Sequence, residues 1–311
     1  MCLVTFSKTP EHSGVAKLKD RENNQPVWAY ISIIDSCSHK CSWCYGNYNN
    51  HDYDIMSVKD FNIITDKLLD IGIKQITFSG GEPTEHPGFL ELVSVADSKG
   101  FIIHIASHGE HLNKDLVDGL VKFKNVQQVQ MNYQGSKRHD QIQGSGYFEQ
   151  THAFRLLASA GIETVASITV GKYNIGDIDT IMKEADDLGT TRMRVIDATG
   201  RGVKWRKMDL IELFDTCKTA ANKLGYNYTL SYDPVYEGDI TIPCVQLSNL
   251  FMDINTRGKL QYCGAVLPII EIIDFLNDSP EDILKAYKDI NAEYSKGGIY
   301  CKAREVTVDG Y

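Results

Sequence analysis

The chain has 311 residues, 42% hydrophobic and 23% charged; that is material for one large domain, or one with a small appendage, and it excludes a disordered chain. Its 32 Lys and Arg against 41 Asp and Glu leave a net charge of −9, which excludes a dedicated nucleic-acid binder, because neutralising phosphates takes a basic footprint. No apolar run approaches the ~20 residues needed to cross a bilayer, and the first residues lack the apolar stretch of a secretory signal. A cytoplasmic protein without membrane partners is therefore expected.

In chain order, residues 1–26 read as an N-terminal extension. Short β-branched runs then appear at 28–34, 75–78, 101–106, 126–133, 164–170 and 192–196. Between them lie amphipathic stretches of helical length at 58–69, 87–98, 114–123, 148–160 and 178–188. Six strands alternating with helices predict parallel βα units. Gly72, Gly100, Gly161 and Gly189 fall where those helices should stop. This α/β stretch, 27–205, is too short for an eight-fold barrel of ~250 residues, so a partial (β/α)6 barrel is expected. The rhythm breaks after Thr199-Gly200-Arg201-Gly202. Residues 206–311 then read as a small α+β unit, with helices near 209–224 and 280–291 and a hairpin around Asn255-Thr256-Arg257-Gly258.

Eight cysteines are present: Cys2, Cys37, Cys41, Cys44, Cys217, Cys244, Cys263 and Cys301. Cys37, Cys41 and Cys44 crowd into one loop after the strand at 28–34. Structural zinc takes four ligands, and no fourth one with suitable spacing follows. Three thiolates can instead hold a 4Fe–4S cluster with one iron left open. The competing reading, three reduced structural cysteines, fits poorly in a polar strand-to-helix loop.

This Cys-x3-Cys-x2-Cys loop, with Trp43 before its last cysteine, resembles the defining motif of the radical S-adenosylmethionine (SAM) superfamily. Phe78-Ser79-Gly80-Gly81-Glu82-Pro83 resembles the family's GGEP turn, which the resemblance places against the amino group of SAM. Glycines there let the backbone approach a ligand, and Glu82 offers an acceptor. Ser107-His108-Gly109 stands where relatives carry Thr-Asn-Gly beside the cofactor. The stretch 129–202 is similar to one peptide-modifying branch, with Asn132 and Gln143 where relatives have a cofactor-binding Ser and Arg. The resemblance thus implies Trp43, Gly80, Gly81, Glu82, Ser107, Asn132 and Gln143 as cofactor-binding residues.

In the C-terminal unit, Cys244, Gly258 and Cys263 are similar to the opening of SPASM and twitch domains. With Cys301 they imply a twitch-type unit holding an auxiliary 4Fe–4S cluster. Cys217 could be its fourth ligand, a candidate hydrogen-atom donor as in some peptide epimerases, or a core residue. The last follows from its place on the apolar stripe of Leu210, Leu213, Phe214, Ala221 and Leu224. Arg201, Lys204, Arg206 and Lys207 form a basic cluster that is a solvated loop or a carboxylate clamp. His104 and His108 read as polar lining rather than metal ligands.

The family's chemistry implies that an electron passes from the cluster to SAM. Cleavage gives a 5′-deoxyadenosyl radical, which takes hydrogen from a substrate. The electron would come from a donor such as a flavodoxin or ferredoxin. A ribosomally made peptide is the favoured substrate, modified by epimerisation or by a thioether or carbon crosslink. The alternatives are a small molecule such as an aminocyclitol or sugar, and a non-catalytic iron–sulfur sensor or electron carrier.

Overall fold

The computed structural model describes residues 3–8, 26–41, 43–44, 48, 53–144, 146–171, 173–197, 207–229, 251–261 and 273–294. Its strands are β1 (Leu3–Ser7), β2 (Trp28–Ile34), β3 (Gln75–Gly80), β4 (Ile102–Ser107), β5 (Val126–Asn132), β6 (Glu163–Val170), β7 (Arg192–Asp197), β8 (Asn227–Thr229) and β9 (Phe251–Ile254). The helices are α1 (Val58–Asp70), α2 (Phe89–Ser98), α3 (Lys114–Leu120), α4 (His139–Gln143), α5 (Tyr147–Ser159), α6 (Ile178–Asp187), α7 (Lys207–Lys223) and α8 (Pro280–Tyr294).

The helices form because their apolar positions recur along one side. In α1 the buried residues are Phe61, Ile64, Thr65 and Leu68, and Ser57 Oγ accepts from Asp60 N to close the first turn. α2 repeats the pattern with Phe89, Leu92, Val93 and Ala96, and α6 with Ile178, Ile181, Met182 and Ala185. The four glycines expected to end helices all have positive φ.

The strands form one sheet in the order β8-β1-β7-β6-β5-β4-β3-β2-β9. From β2 to β7 the six strands expected from the sequence run parallel in sequence order. Two features were not expected. Part of the N-terminal extension, β1, pairs antiparallel with β7 and carries β8 on its other side. At the opposite end β9, from the C-terminal segment, pairs parallel with β2. Among the described residues the sheet therefore keeps two edges, β8 and β9, and is a partial barrel rather than a closed one.

Its two faces differ in chemistry. Ile31, Ile33, Ile76, Phe78, Ile103, Ile105, Val129, Met131, Ile168, Val170, Met193 and Val195 are all buried in the core that the helices cover. The alternate positions carry Tyr30, Gln75, Thr77, His104, Gln128, Gln130, Asn132, Ser167, Thr169, Arg192 and Arg194. Parallel strands packed on both faces read as continuous apolar runs. Here the inner face is polar, and it opens at the strand C-terminal ends into the site.

Candidate active site at the strand C-terminal ends

A cavity of about 220 Å³ opens at the ends of the parallel strands. Cys37, Cys41, Trp43 and Cys44 line it from the loop after β2, Ser79, Gly80, Gly81 and Glu82 from β3, and Ser107 and His108 from β4. Asn132 joins them from β5. The three cysteines and six of the seven residues expected to contact cofactor thus share one cavity. Gln143 is the exception: it is fully buried behind the wall, where its Nε2 donates to the Asn132 carbonyl. Its own carbonyl accepts from Lys40 N, which ties α4 to the cysteine loop.

The glycines of the GGEP turn have a visible physical role. Gly81 N donates to Ile34 O at 2.7 Å and Glu82 N to Ser36 O at 2.8 Å. This strap runs along the lead-in to Cys37. A Cβ on Gly80 would lie 2.3 Å from Ile34 O, and Gly80 has φ +126°, so only glycine fits.

Glu82 is 1% exposed and its carboxylate is fully used. Oε1 accepts from Thr84 N, Thr84 Oγ1 and Ser107 Oγ, and Oε2 accepts from His108 N at 2.7 Å. The acid welds the β3 turn to the β4 loop. Its neighbours extend the weld to the cysteines. Ser38 N donates to Glu85 Oε1 at 2.8 Å, His39 pairs with Glu110 at 2.7 Å, and the His39 and His108 rings stack 3.8 Å apart. Glu110 N donates to His108 Nδ1, which leaves Nε2 as the protonated nitrogen of the neutral ring, facing Ser38 Oγ. Gln150 Nε2 donates to the carbonyls of His108 and Asn132, joining β4 to β5.

Burial opposes the Glu85 charge, but hydrogen bonds from His108, His111 and Ser38 outweigh it and hold that carboxyl below its usual range. The cysteines shift the other way. Burial, with Glu82 and Glu85 nearby, pushes the Cys37 thiol far up, and burial pushes Cys41 up to about 12. No cationic side chain contributes to either shift. Thiolates here need positive charge from elsewhere, which is what a metal cluster brings. The donor set fits a three-cysteine cluster.

Other expected residues lie elsewhere. Cys217 is fully buried on α7, with its thiol pushed up to about 12 by burial, and it is not among the cavity-lining residues. His104 is a buried inner-face residue beside Gln75. Cys244, Cys263, Cys301, Arg201, Lys204 and Arg206 lie outside the described residues, as does the Lys207 side chain. The turn expected at 255–258 is present: Gly258 N donates to Asn255 O, and Thr256 Oγ1 donates to Asp35 two residues before Cys37.

Tyr30, Gln130, Thr169 and Ile196 also line the cavity and were missed by sequence reasoning. The signal was present in the polar alternate positions of the strands, but nothing local separates a lumen from a solvated face.

Residues 31–185 match the Radical SAM superfamily sequence profile. The sporulation killing factor maturation protein SkfB of Bacillus subtilis strain 168 is 26% identical over 53% of this chain and 40% of its own length. This chain therefore spans less than half of that relative. The PqqA peptide cyclase of Gluconobacter oxydans strain 621H is 25% identical over 81% of this chain and 74% of its length. In fold, the chain is similar to Streptococcus suis SuiB bound to the precursor peptide SuiA, with TM-score 0.68, 17% identity and coverage of 88% of this chain and 69% of SuiB. Cavity, cysteine loop and profile coincide on the same strands, and the chain belongs to the radical SAM superfamily.

Proposed function

We propose that this chain is a radical SAM enzyme that modifies a ribosomally made peptide. The observation that carries it is the convergence of Cys37, Cys41 and Cys44 with the GGEP turn and Ser107 on one cavity. The peptide substrate is supported by the roles of similar proteins: a peptide cyclase, a maturation protein and an enzyme crystallised with a precursor peptide.

In this reading Cys37, Cys41 and Cys44 hold the cluster, while Gly80, Gly81, Ser107 and Asn132 face the cofactor. When bound, the cluster and SAM supply one-electron cleavage and a hydrogen-abstracting radical. The chain does the rest. Glu82 fixes the turn that carries the glycines, Gln150 fixes the neighbouring loop, and the buried walls exclude water from the reacting atoms. Cys244, Cys263 and Cys301 would hold the auxiliary cluster of a twitch-type unit.

The test is 5′-deoxyadenosine formation by reduced, reconstituted protein. Replacing Cys37, Cys41 and Cys44 together by Ala should abolish it. Product formation by that variant would remove the reading.

A further inference from the structure

Two arginines enter the barrel lumen from consecutive inner positions of β7, and they are treated differently. Arg192, the deeper one, is 4% exposed, and its Nε lies 3.3 Å from Glu163 Oε1. Its charge is matched inside the protein. Arg194, one step nearer the cavity, has no carboxylate partner among the described residues. One of its terminal nitrogens donates to Gln130 Oε1, the guanidinium lies close enough to the Tyr30 hydroxyl to favour its ionised form, and its Nε, like that of Arg192, is buried without a hydrogen-bond partner among the described residues. Arg194 is partly exposed, so an anion reaching it would meet a guanidinium that no described carboxylate neutralises.

The groups around Arg194 are arranged as donors. Gln130 has its oxygen occupied by Arg194, which leaves its amide hydrogens to donate. The Tyr30 hydroxyl, beside the guanidinium, can donate its own proton. Both residues line the cavity directly below the cysteine and GGEP loops. Tyr30 is on β2 and Arg194 on β7, so their electrostatic coupling reaches across the lumen between strands that are not neighbours. Asp253 stands beside Tyr30 in register.

We propose that Arg194, Gln130 and Tyr30 form a subsite for a carboxylate of the substrate, held below the cofactor in the lumen. The proposal rests on the reading of the cavity as a cofactor-and-substrate site, and adds what the substrate must carry. The planar fork of Arg194 can give two parallel hydrogen bonds to such a group, and the flanking donors fix its plane. Two sources share this chemistry: an acidic side chain of a peptide, or its C-terminus.

The test uses the full-length, cluster-loaded protein saturated with SAM, titrated with small probes by ligand-observed NMR. N-acetylglycine stands for a C-terminus, and the α-amide of N-acetylglutamate for a side chain. The neutral amide of each is its control. At least one acid should bind roughly tenfold tighter than its own amide, the scale of a charge-assisted bond. The acid that binds tighter assigns the source. Arg194→Gln should remove that preference and Arg194→Lys should restore part of it. If Arg194→Gln does not fold, Gln130→Leu should still weaken acid binding severalfold.

Acids binding no tighter than amides would overturn the proposal. So would an acid preference that survives Arg194→Gln, or a comparable loss of SAM affinity in that variant, which would give the guanidinium to the cofactor's own carboxylate. Formation of 5′-deoxyadenosine by the wild type is scored separately. If it forms without any acid preference, only the subsite fails; if it never forms, the enzymatic reading fails on its own.

Discussion

Gly81 and Ser36 lie so close that no side chain fits between them: a Cβ on Gly81 would sit 1.9 Å from the Ser36 carbonyl oxygen. The obstacle is backbone that also leads into Cys37, so it cannot swing aside like a side-chain tip. Gly81→Ala should therefore cost about 2–3 kcal/mol of stability, within the range of overpacked sites. It should also lower cluster loading, because the displaced segment carries the first ligand. Iron content and a denaturation midpoint check both. A variant with wild-type iron and stability would show that the strap is dispensable.

Glu82 carries a second prediction. Family resemblance assigns it to the amino group of SAM, whereas its four hydrogen bonds here all go to protein donors. Glu82→Ala would leave the buried amide of His108 and the partly buried amide of Thr84 without acceptors. Stability should fall by roughly 2–4 kcal/mol, and the loss should appear without any cofactor present. Glu82→Gln, which still offers one oxygen, should fall between. A variant that is stable when empty and defective only in SAM binding would return the residue to direct contact.

How far the residues themselves announce this architecture depends on whether the signal is local. The cysteine loop is legible because spacing alone puts three ligands in one turn. The helices are legible because burial repeats at 3.6, as Phe61, Ile64 and Leu68 show. β1 is not, because its five residues pair with β7 nearly the whole domain away and no nearby pattern marks it. The inner row Gln128, Gln130 and Asn132 is ambiguous for another reason. The same alternation describes a strand with one wet face, and only the curl of the sheet turns that face into a lumen. Gln150 is silent in sequence, since a buried glutamine on α5 acquires meaning only from two carbonyls contributed by other elements.

Cys217 gives a prediction about what the chemistry does not use. It is fully buried with Leu213, Phe214 and Ala221. Cys217→Ser puts a hydroxyl where the thiol packed, and should cost ~1–3 kcal/mol. Cys217→Ala should cost less, about 1 kcal/mol, for the small volume removed. Iron content and product formation in deuterated buffer should be unchanged in Cys217→Ala. Substrate turnover that stops while 5′-deoxyadenosine still accumulates would instead establish Cys217 as the hydrogen donor.

The last prediction concerns pH. Burial alone raises Asp253 from the ordinary carboxylate value of 3.8 to about 7. In the unfolded chain this residue loses its proton near pH 4. Between those two values the folded protein holds a proton that the unfolded chain does not. The sign follows: this contribution favours folding fully below pH 4 and is lost as pH rises through about 7. Three pH steps bound the effect at ~4 kcal/mol, and solvent entering the lumen should reduce it to roughly 1–2 kcal/mol. Asp253→Asn keeps the shape of the neutral acid and removes the titration. Relative to wild type it should be near neutral at pH 4 and more stable by that amount at pH 8, measured by denaturant midpoints. Comparing the two proteins at each pH cancels every other titrating group. A difference that stays constant from pH 4 to pH 8 would mean that Asp253 is charged and solvated in the folded lumen.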